Sequence, residues 1–363
     1  MTNPTPCRPI RHRAFVWRNR QRNPLAKGMT MVELLVAMVI SLLISLAAIS
    51  ALIVTRQGFT TVDVSSQLRE NARFTSDLIQ RLGVQAGYKS DVYASKPVSP
   101  TEVAANLNPN VFGFNNALIS SSDPLNGSTA RTTSDGSDVL ILRYQAAETY
   151  PGSGVSDGTM INCAGIANVS TAVPISRDDR MASIFHVAIS QGEPALMCTY
   201  ISAAGLAVTQ PIIQGVENFQ VLYGVSNVTA VTAPTAQKVI YGGSTVSVPG
   251  AAVDTGGDSL PDDYLRADQL TVAGDAVGTN NNWRRVRSLR IGMVLRGATN
   301  SQQGAGPGTF YPFGAGKSTS SSAAGTALSD ATNDPGTVFA PTVDGRMRLV
   351  STFTVHLRND QGL

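Results

Sequence analysis

The longest feature of the chain is apolar. From Leu34 to Val54 there are 21 residues without a charged side chain, broken only by Ser41, Ser45 and Ser50. Coiled as a helix, such a run crosses about 30 Å of hydrocarbon. It is too long for the usual apolar core of a cleaved secretory signal, which is about 7 to 15 residues. Ala37, Ser41, Ser45 and Ala48 recur on it at steps of three and four, which lets a neighbouring helix approach closely. Beyond it, Leu68, Ala72, Leu78, Ile79, Leu82 and Ala86 fall on one side at helical spacing, with Arg56, Arg69, Glu70, Arg73 and Arg81 mostly on other faces. No proline occurs between Met29 and Gly87, and Gly87 suits the left-handed residue that ends a helix. Gly58 and Gly83 are expected to weaken the helix locally. The pattern predicts one long helix, a membrane half over 29–54 and an amphipathic half over 55–87.

Past residue 88 the period changes from helical to two. Leu289, Ile291, Met293 and Leu295 alternate with Ser288, Arg290, Gly292 and Arg296, and Met347, Leu349, Phe353, Val355 and Leu357 alternate with Arg348, Thr352, Thr354, His356 and Arg358. Shorter strands are predicted over Val139–Tyr144, Ser183–Ile189, Leu196–Ile201 and Val216–Tyr223. Residues 225–282 and 298–345 are rich in Gly, Ser, Thr, Ala and Asn and are expected to be loop-rich. With 363 residues, 42% of them hydrophobic, and 33 Gly and 19 Pro, 88–363 reads as a β-rich domain with a real core.

Charge changes the picture at the amino terminus. The formal net charge of +3 rests on Arg8, Arg11, Arg13, Arg18, Arg20, Arg22 and Lys27, which stand in a 28-residue stretch without an acid; without them the remainder carries −4. That argues against nucleic acid binding by the bulk surface, and a basic segment before an apolar helix places the carboxyl-terminal body outside the cytoplasm. Directly before the apolar run stands Lys27-Gly28-Met29-Thr30-Met31-Val32-Glu33, in which a single carboxylate sits at the membrane edge. A lone acid there has a partner or a task, or is favoured simply as a helix-start acid.

Candidate chemistry is sparse. Cys7 lies in the basic segment, which leaves Cys163 and Cys198 as a pair, read as a structural disulfide. After the leader there are only His186 and His356, both on predicted strands, and no nucleophile elbow, metalloprotease helix or phosphate loop. The chain is therefore read as non-enzymatic, with no cofactor. Asp254, Asp258, Asp262 and Asp263 form an acid-rich loop that is a weak calcium candidate; its spacing matches no EF-hand, and Gly256, Gly257 and Pro261 make ordinary turn chemistry the preferred reading. Phe310, Tyr311 and Phe313 offer an aromatic cluster for partner binding, weighed against plain loop packing.

The leader with its Gly28, the hydrophobic Met29, and Glu33 as fifth residue from Met29 resemble the type IV pilin superfamily. The resemblance implies an α+β, type IV pilin-like fold, a long amino-terminal helix packed on an antiparallel sheet domain with long loops. It also implies that a prepilin peptidase cuts between Gly28 and Met29 and methylates the new amine, and that Glu33 neutralises the terminal amine of a neighbouring subunit. Met29 departs from the Phe common in major pilins, and the leader is long. Gln67-Leu68-Arg69-Glu70-Asn71-Ala72-Arg73, Ala86-Gly87-Tyr88, Gly136-Ser137-Asp138-Val139-Leu140, Gly215–Gly224, Trp283 and the closing Arg358-Asn359 are similar to PilW-type minor pilins. That narrower resemblance implies an inner-membrane anchor with a periplasmic body, a place at the pilus tip, and a role in starting pilus assembly. The partners it implies are other minor pilins, the major pilin, a PilY-type tip adhesin and the inner-membrane assembly platform. The alternatives are a J-like minor pseudopilin of a type II secretion system and, ranked lower, a membrane-anchored binding protein or hydrolase.

Overall fold

A computed structural model describes residues 28–94, 106–131, 136–167, 179–234, 237–241, 244–248, 260–302, 308–314, 328–330 and 332–359. The basic leader before Gly28, and Asp254 and Asp258 of the acid-rich loop, lie outside the described residues. The chain divides into two compact units, residues 1–56 and 57–363.

Helix α1 spans Met31–Gln85, and its first part makes up the described portion of the smaller unit. Side chains there are exposed throughout, and the most apolar window is wholly uncovered. The Ser41, Ser45 and Ser50 hydroxyls each donate to a backbone carbonyl three or four residues back, at 2.8 to 2.9 Å. These serines thus keep their hydrogen-bonding groups within the helix, as a lipid-facing segment requires. The helix is long and apolar enough to cross a membrane.

Among the described residues the larger unit holds the rest of α1 and thirteen strands: β1 Val111–Phe114, β2 Ala117–Ile119, β3 Ser128–Ala130, β4 Val139–Tyr144, β5 Met181–Ser190, β6 Glu193–Ile201, β7 Ala207–Gln214, β8 Val216–Val225, β9 Gln237–Tyr241, β10 Ser244–Val248, β11 Asp263–Leu265, β12 Val286–Arg296 and β13 Arg348–His356. A five-stranded sheet has the order β1-β4-β5-β6-β7 and a four-stranded sheet the order β11-β8-β12-β13, with hairpins β2–β3 and β9–β10 beside them. Every pairing of these strands among the described residues is antiparallel.

The helix contributes Val64, Leu68, Ala72, Ile79, Leu82 and Ala86 to the main core, which also holds Leu289, Ile291, Met293 and Leu295 of β12. Two glycines show how close the elements come. A Cβ on Gly297 would collide with Val64, and one on Gly83 would lie 2.5 Å from Val355 Cγ1. Gly297 donates to Met347 at the start of β13, and Val355 stands near its end. Helix residues 64–83 therefore run alongside β13, about 28 Å of helix against about 26 Å of strand. Gly83, expected only to weaken the helix, is a point of contact.

The helix ends as its sequence suggests. Gly87 has φ +77 and donates its N–H to Arg143 O, while Asn359 Nδ2 donates to Val84 O at 2.9 Å and Ala86 O at 3.0 Å. The closing asparagine of the chain thus satisfies carbonyls that a helix end leaves open.

Strand β8 is buried along its whole length, since it lies between β11 and β12 and also contacts β5 and β6 of the other sheet. Residues 225–282 hold more regular structure than their composition suggests: the β9–β10 hairpin, β11, and a helix Ala276–Trp283. Asp275 caps that helix by accepting from Gly278 N at 2.8 Å. Its last residue, Trp283, is fully buried, with Tyr223 edge-on at 4.6 Å and Phe112 tilted at 4.8 Å.

Candidate functional site

Gly28 to Glu33 open the described chain. Thr30 Oγ1 accepts from Glu33 N at 3.2 Å, and Thr30 O accepts from Leu34 N at 3.1 Å, so Thr30 is the cap of α1 and Glu33 its third helical residue. The Thr-x-x-Glu spacing that announces such a cap is legible in the sequence, yet attention to the carboxylate alone passes it by. A Cβ on Gly28 would meet nothing within 4 Å. No packing within the described chain therefore requires glycine at that position. Met29, Met31 and Val32 are 61%, 84% and 69% exposed. Nothing among the described residues covers these side chains.

Among the described residues of the body, three linked polar groups stand out. The first carries the Gly136-Ser137-Asp138 motif. Asp138 Oδ1 accepts from Asn116 N and Oδ2 from Val221 N, both at 2.8 Å; Ser137 Oγ accepts from Phe219 N at 3.2 Å, and Gln220 Nε2 donates to Gly136 O at 2.6 Å. Gly136 has φ +57, and a Cβ there would stand 2.5 Å from Gly336 N. The motif thus ties the start of β4 to β8 and to the tight turn Pro335–Thr337. Burial pushes the Asp138 carboxyl well above its usual range, and Asp334 adds to that shift. Asp334 itself is 2% exposed, and burial raises it to about 7, with Arg266 opposing and Asp268 and Asp330 reinforcing.

The second group is an ion-pair ladder. Arg296 bonds Glu193 at 2.6 Å and Glu217 at 2.9 Å, Arg348 bonds Glu217 at 2.6 Å and Asp344 at 2.8 Å, and Arg346 bonds Glu193 at 2.9 Å. Hydrogen bonds from Arg296 and Arg346 hold the Glu193 carboxyl below its ordinary value. The ladder locks together the starts of β6, β8 and β13 and the end of β12, beside a groove of about 430 Å³ that Gln67, Leu68 and Asn71 of α1 help to line. Sequence reading missed it because its members lie up to 155 positions apart, between Glu193 and Arg348.

The third group surrounds His186, which is 3% exposed. Its Nε2 lies 2.9 Å from Thr199 Oγ1, itself 2.7 Å from Thr209 Oγ1, a chain across β5, β6 and β7. Burial, with Arg131 adding, lowers its pKa to about 4, so the ring is neutral near pH 7. Cys198 and Cys163 nearby form a disulfide, with Cα atoms 5.6 Å apart, that fastens the 158–166 loop to β6. His356 is exposed on β13.

The remaining candidates are occupied structurally. Asp262 accepts from Asn227 N at 2.9 Å and Asp263 from Tyr264 N at 2.7 Å, while no cluster of three His, Cys, Asp or Glu side chains suited to a metal occurs among the described residues. Phe313 is 2% exposed, the Phe310 backbone bridges to Phe339, and Phe313 O accepts from Arg290 Nη2 at 3.4 Å. Loop packing, not a displayed aromatic patch, is the part these residues play.

Residues 184–359 match the family model described as Type IV Pilus-assembly protein W, and residues 24–49 match the prokaryotic N-terminal methylation motif. No curated protein matches the chain. Among solved structures, a type IV-like pilin from Thermus thermophilus aligns over 80% of this chain and 96% of its own, at 13% identity and a TM-score of 0.32.

Proposed function

We propose that this chain, which belongs to the PilW family of type IV pilin-like proteins, is a minor pilin that helps to start type IV pilus assembly in a priming or tip complex. The observation that carries the reading is the amino-terminal segment, where Gly28 is demanded by no contact among the described residues, Glu33 is fifth from Met29, and the helix beyond them is apolar and uncovered by them. A glycine free of internal constraint suits a site at which a prepilin peptidase must approach the backbone. Cleavage there makes Met29 the first residue, and its methylated amine is available to a neighbour's Glu33. In a low-dielectric surrounding that pairing offsets the cost of burying each charge alone.

On this reading the body lies in the periplasm and later at the pilus tip, with other minor pilins, the major pilin, a PilY-type adhesin and the assembly platform as partners. The polar groups of the body tie strands together, as befits a structural subunit. Mass spectrometry of the mature amino terminus tests the reading, with a methylated Met29 expected. Gly28→Val leaves the full precursor in the membrane, while Glu33→Ala is processed but poorly incorporated into pili. Normal piliation by Glu33→Ala in a deletion background would refute the charge pairing. A deletion strain that keeps its pili and loses protein secretion would point to a pseudopilin instead.

A further inference from the structure

Two Asp-Pro bonds occur in the chain, Asp123-Pro124 and Asp334-Pro335. In such a bond the side-chain carboxyl is one ring closure away from its own peptide carbonyl, and the amide nitrogen carries no N–H. The two stand in opposite surroundings. Asp123 is exposed, and its carboxylate accepts from Asn126 N at 3.1 Å and Asn126 Nδ2 at 3.3 Å. Asp334 is 2% exposed, and no hydrogen bond reaches its Oδ1 among the described residues.

The peptide carbonyl of Asp334 is gripped twice by Thr337, whose N donates to Asp334 O at 3.1 Å and whose Oγ1 donates to it at 2.7 Å. A plain turn supplies the first bond. The second is aimed, because Thr337 Oγ1 itself accepts from Asp330 N at 2.8 Å, which directs its own proton to Asp334 O. Two donors on one carbonyl oxygen stabilise the negative charge that grows there when a nucleophile adds to the carbon. Thr337 is 1% exposed, so both bonds are shielded from water. The carboxyl beside them keeps its proton. Burial holds Asp334 protonated up to about pH 7, against Arg266 and with help from Asp268 and Asp330. Asp138, which Arg131 also faces, is raised by burial and by Asp334 in turn. Outside this dry spot Thr332 and Asn333 are exposed and Pro335 is half-buried, which gives water a way in.

We propose that Asp334-Pro335 is a self-cleavage site, at which the buried Asp334 carboxyl and the paired Thr337 donors cut the backbone without a protease. A carboxyl oxygen of Asp334 adds to the Asp334 carbonyl carbon and closes a cyclic anhydride. The carbon–nitrogen bond to Pro335 breaks, and the carboxyl proton passes to the prolyl nitrogen. One water then adds to the anhydride, restoring the side-chain carboxyl and leaving a free α-carboxyl on Asp334; nothing is oxidised or reduced. A neutral carboxyl supplies both the nucleophile and the proton. The piece beginning at Pro335 stays in place, since it contains β13, paired with β12 along 9 residues, and Phe339, bonded to Phe310. The product is a nicked body that remains folded. The inference concerns the body and goes beyond the role in assembly.

Intact mass spectrometry of the denatured full chain, after incubation in detergent with protease inhibitors, tests it. Two fragments are expected, one ending at Asp334 and one beginning at Pro335, at a rate independent of chain concentration. The rate should stay nearly level up to about pH 7 and fall roughly tenfold per pH unit above it. Asp123-Pro124 in the same sample is the internal reference, expected to be cut at least roughly a hundredfold more slowly. Unfolding in urea should erase that difference. Hydroxylamine present during the reaction should trap the anhydride as a hydroxamate on Asp334. Asp334→Ala should abolish the cut and Thr337→Val slow it roughly a hundredfold. The wild-type readings stand whether or not these variants fold. An Asp334-Pro335 bond still intact after weeks near pH 6 overturns the proposal, as does equal cutting at Asp123-Pro124 in the folded chain. A cut that survives Asp334→Ala shows a contaminating protease, and fragments without a hydroxamate show direct hydrolysis; either overturns it.

Discussion

Two glycines in α1 look alike in sequence and differ in surroundings, which makes them a matched pair for measuring the helix–sheet contact. Gly58 faces open space, with nothing within 4 Å of a would-be Cβ. At Gly83 the same atom would lie 2.5 Å from Val355 Cγ1 and 3.7 Å from its Cβ. Replacing either glycine by alanine improves the helix by roughly 0.5 to 1 kcal/mol. At Gly83 this gain is opposed by overpacking, which costs about 1 to 3 kcal/mol when the neighbour cannot yield. Val355 is poorly placed to yield, being 3% exposed, β-branched and paired with Leu289. The helix terms cancel in the comparison, so Gly83→Ala should be less stable than Gly58→Ala by about 1 to 3 kcal/mol. At roughly 2 °C or more per kcal/mol for a body of this size, the thermal midpoints of the detergent-solubilised chains should differ by at least about 2 °C. Adding Val355→Ala to Gly83→Ala should narrow that gap by making room for the new methyl group. Equal midpoints for the two single variants would show that α1 does not press on β13 at this point.

The polar and covalent ties carry two more expected outcomes. Replacing Cys163 and Cys198 by serine opens a crosslink between positions 35 apart, and should cost about 3 to 4 kcal/mol in denaturant titrations. Asp334 gives stability a pH dependence of definite sign. Its folded value of about 7 lies above the ordinary 3.8, so between those values the folded chain keeps a proton that the unfolded chain has released. Its contribution therefore falls as pH rises from about 4 to about 7 and is flat beyond. Asp334→Asn should remove this part of the decline and raise the midpoint at pH 8 more than at pH 4, and a uniform shift at both would contradict the assignment.

Much of the architecture is readable from local pattern. The apolar run from Leu34, the stripe through Leu68, Ala72, Ile79 and Leu82, the stop at Gly87, and the alternating strands around Ile291 and Phe353 all reflect helical and strand periodicity. What periodicity could not disclose depends on neighbours distant in sequence. β8 reads as a modest strand, but lies between β11 and β12 and against the other sheet, so both faces are buried. β7 contains Pro211, which its edge position and the register shift against β6 accommodate. Composition leaves Phe310, Tyr311 and Phe313 open to either recognition or loop packing, and the burial of Phe313 favours packing.

By itself, then, the sequence determined a charge-free apolar helix long enough to cross a membrane, the order of Gly28, Met29 and Glu33 at its start, and a cysteine pair. These depend on spacing along a few turns of one helix or on a residue count. The tertiary structure decided which residues bear on one another across the chain. It paired Arg348 with Glu217, seated Asp138 and Asp334 in one buried group, closed the end of α1 with Asn359, and turned Gly83 from a weak helix position into a contact with Val355. Such relations arise where strands far apart in sequence become neighbours, and no local period encodes them. Which strands end the two larger sheets, β1, β7, β11 and β13, belongs to the same class, because only the finished sheet order shows it.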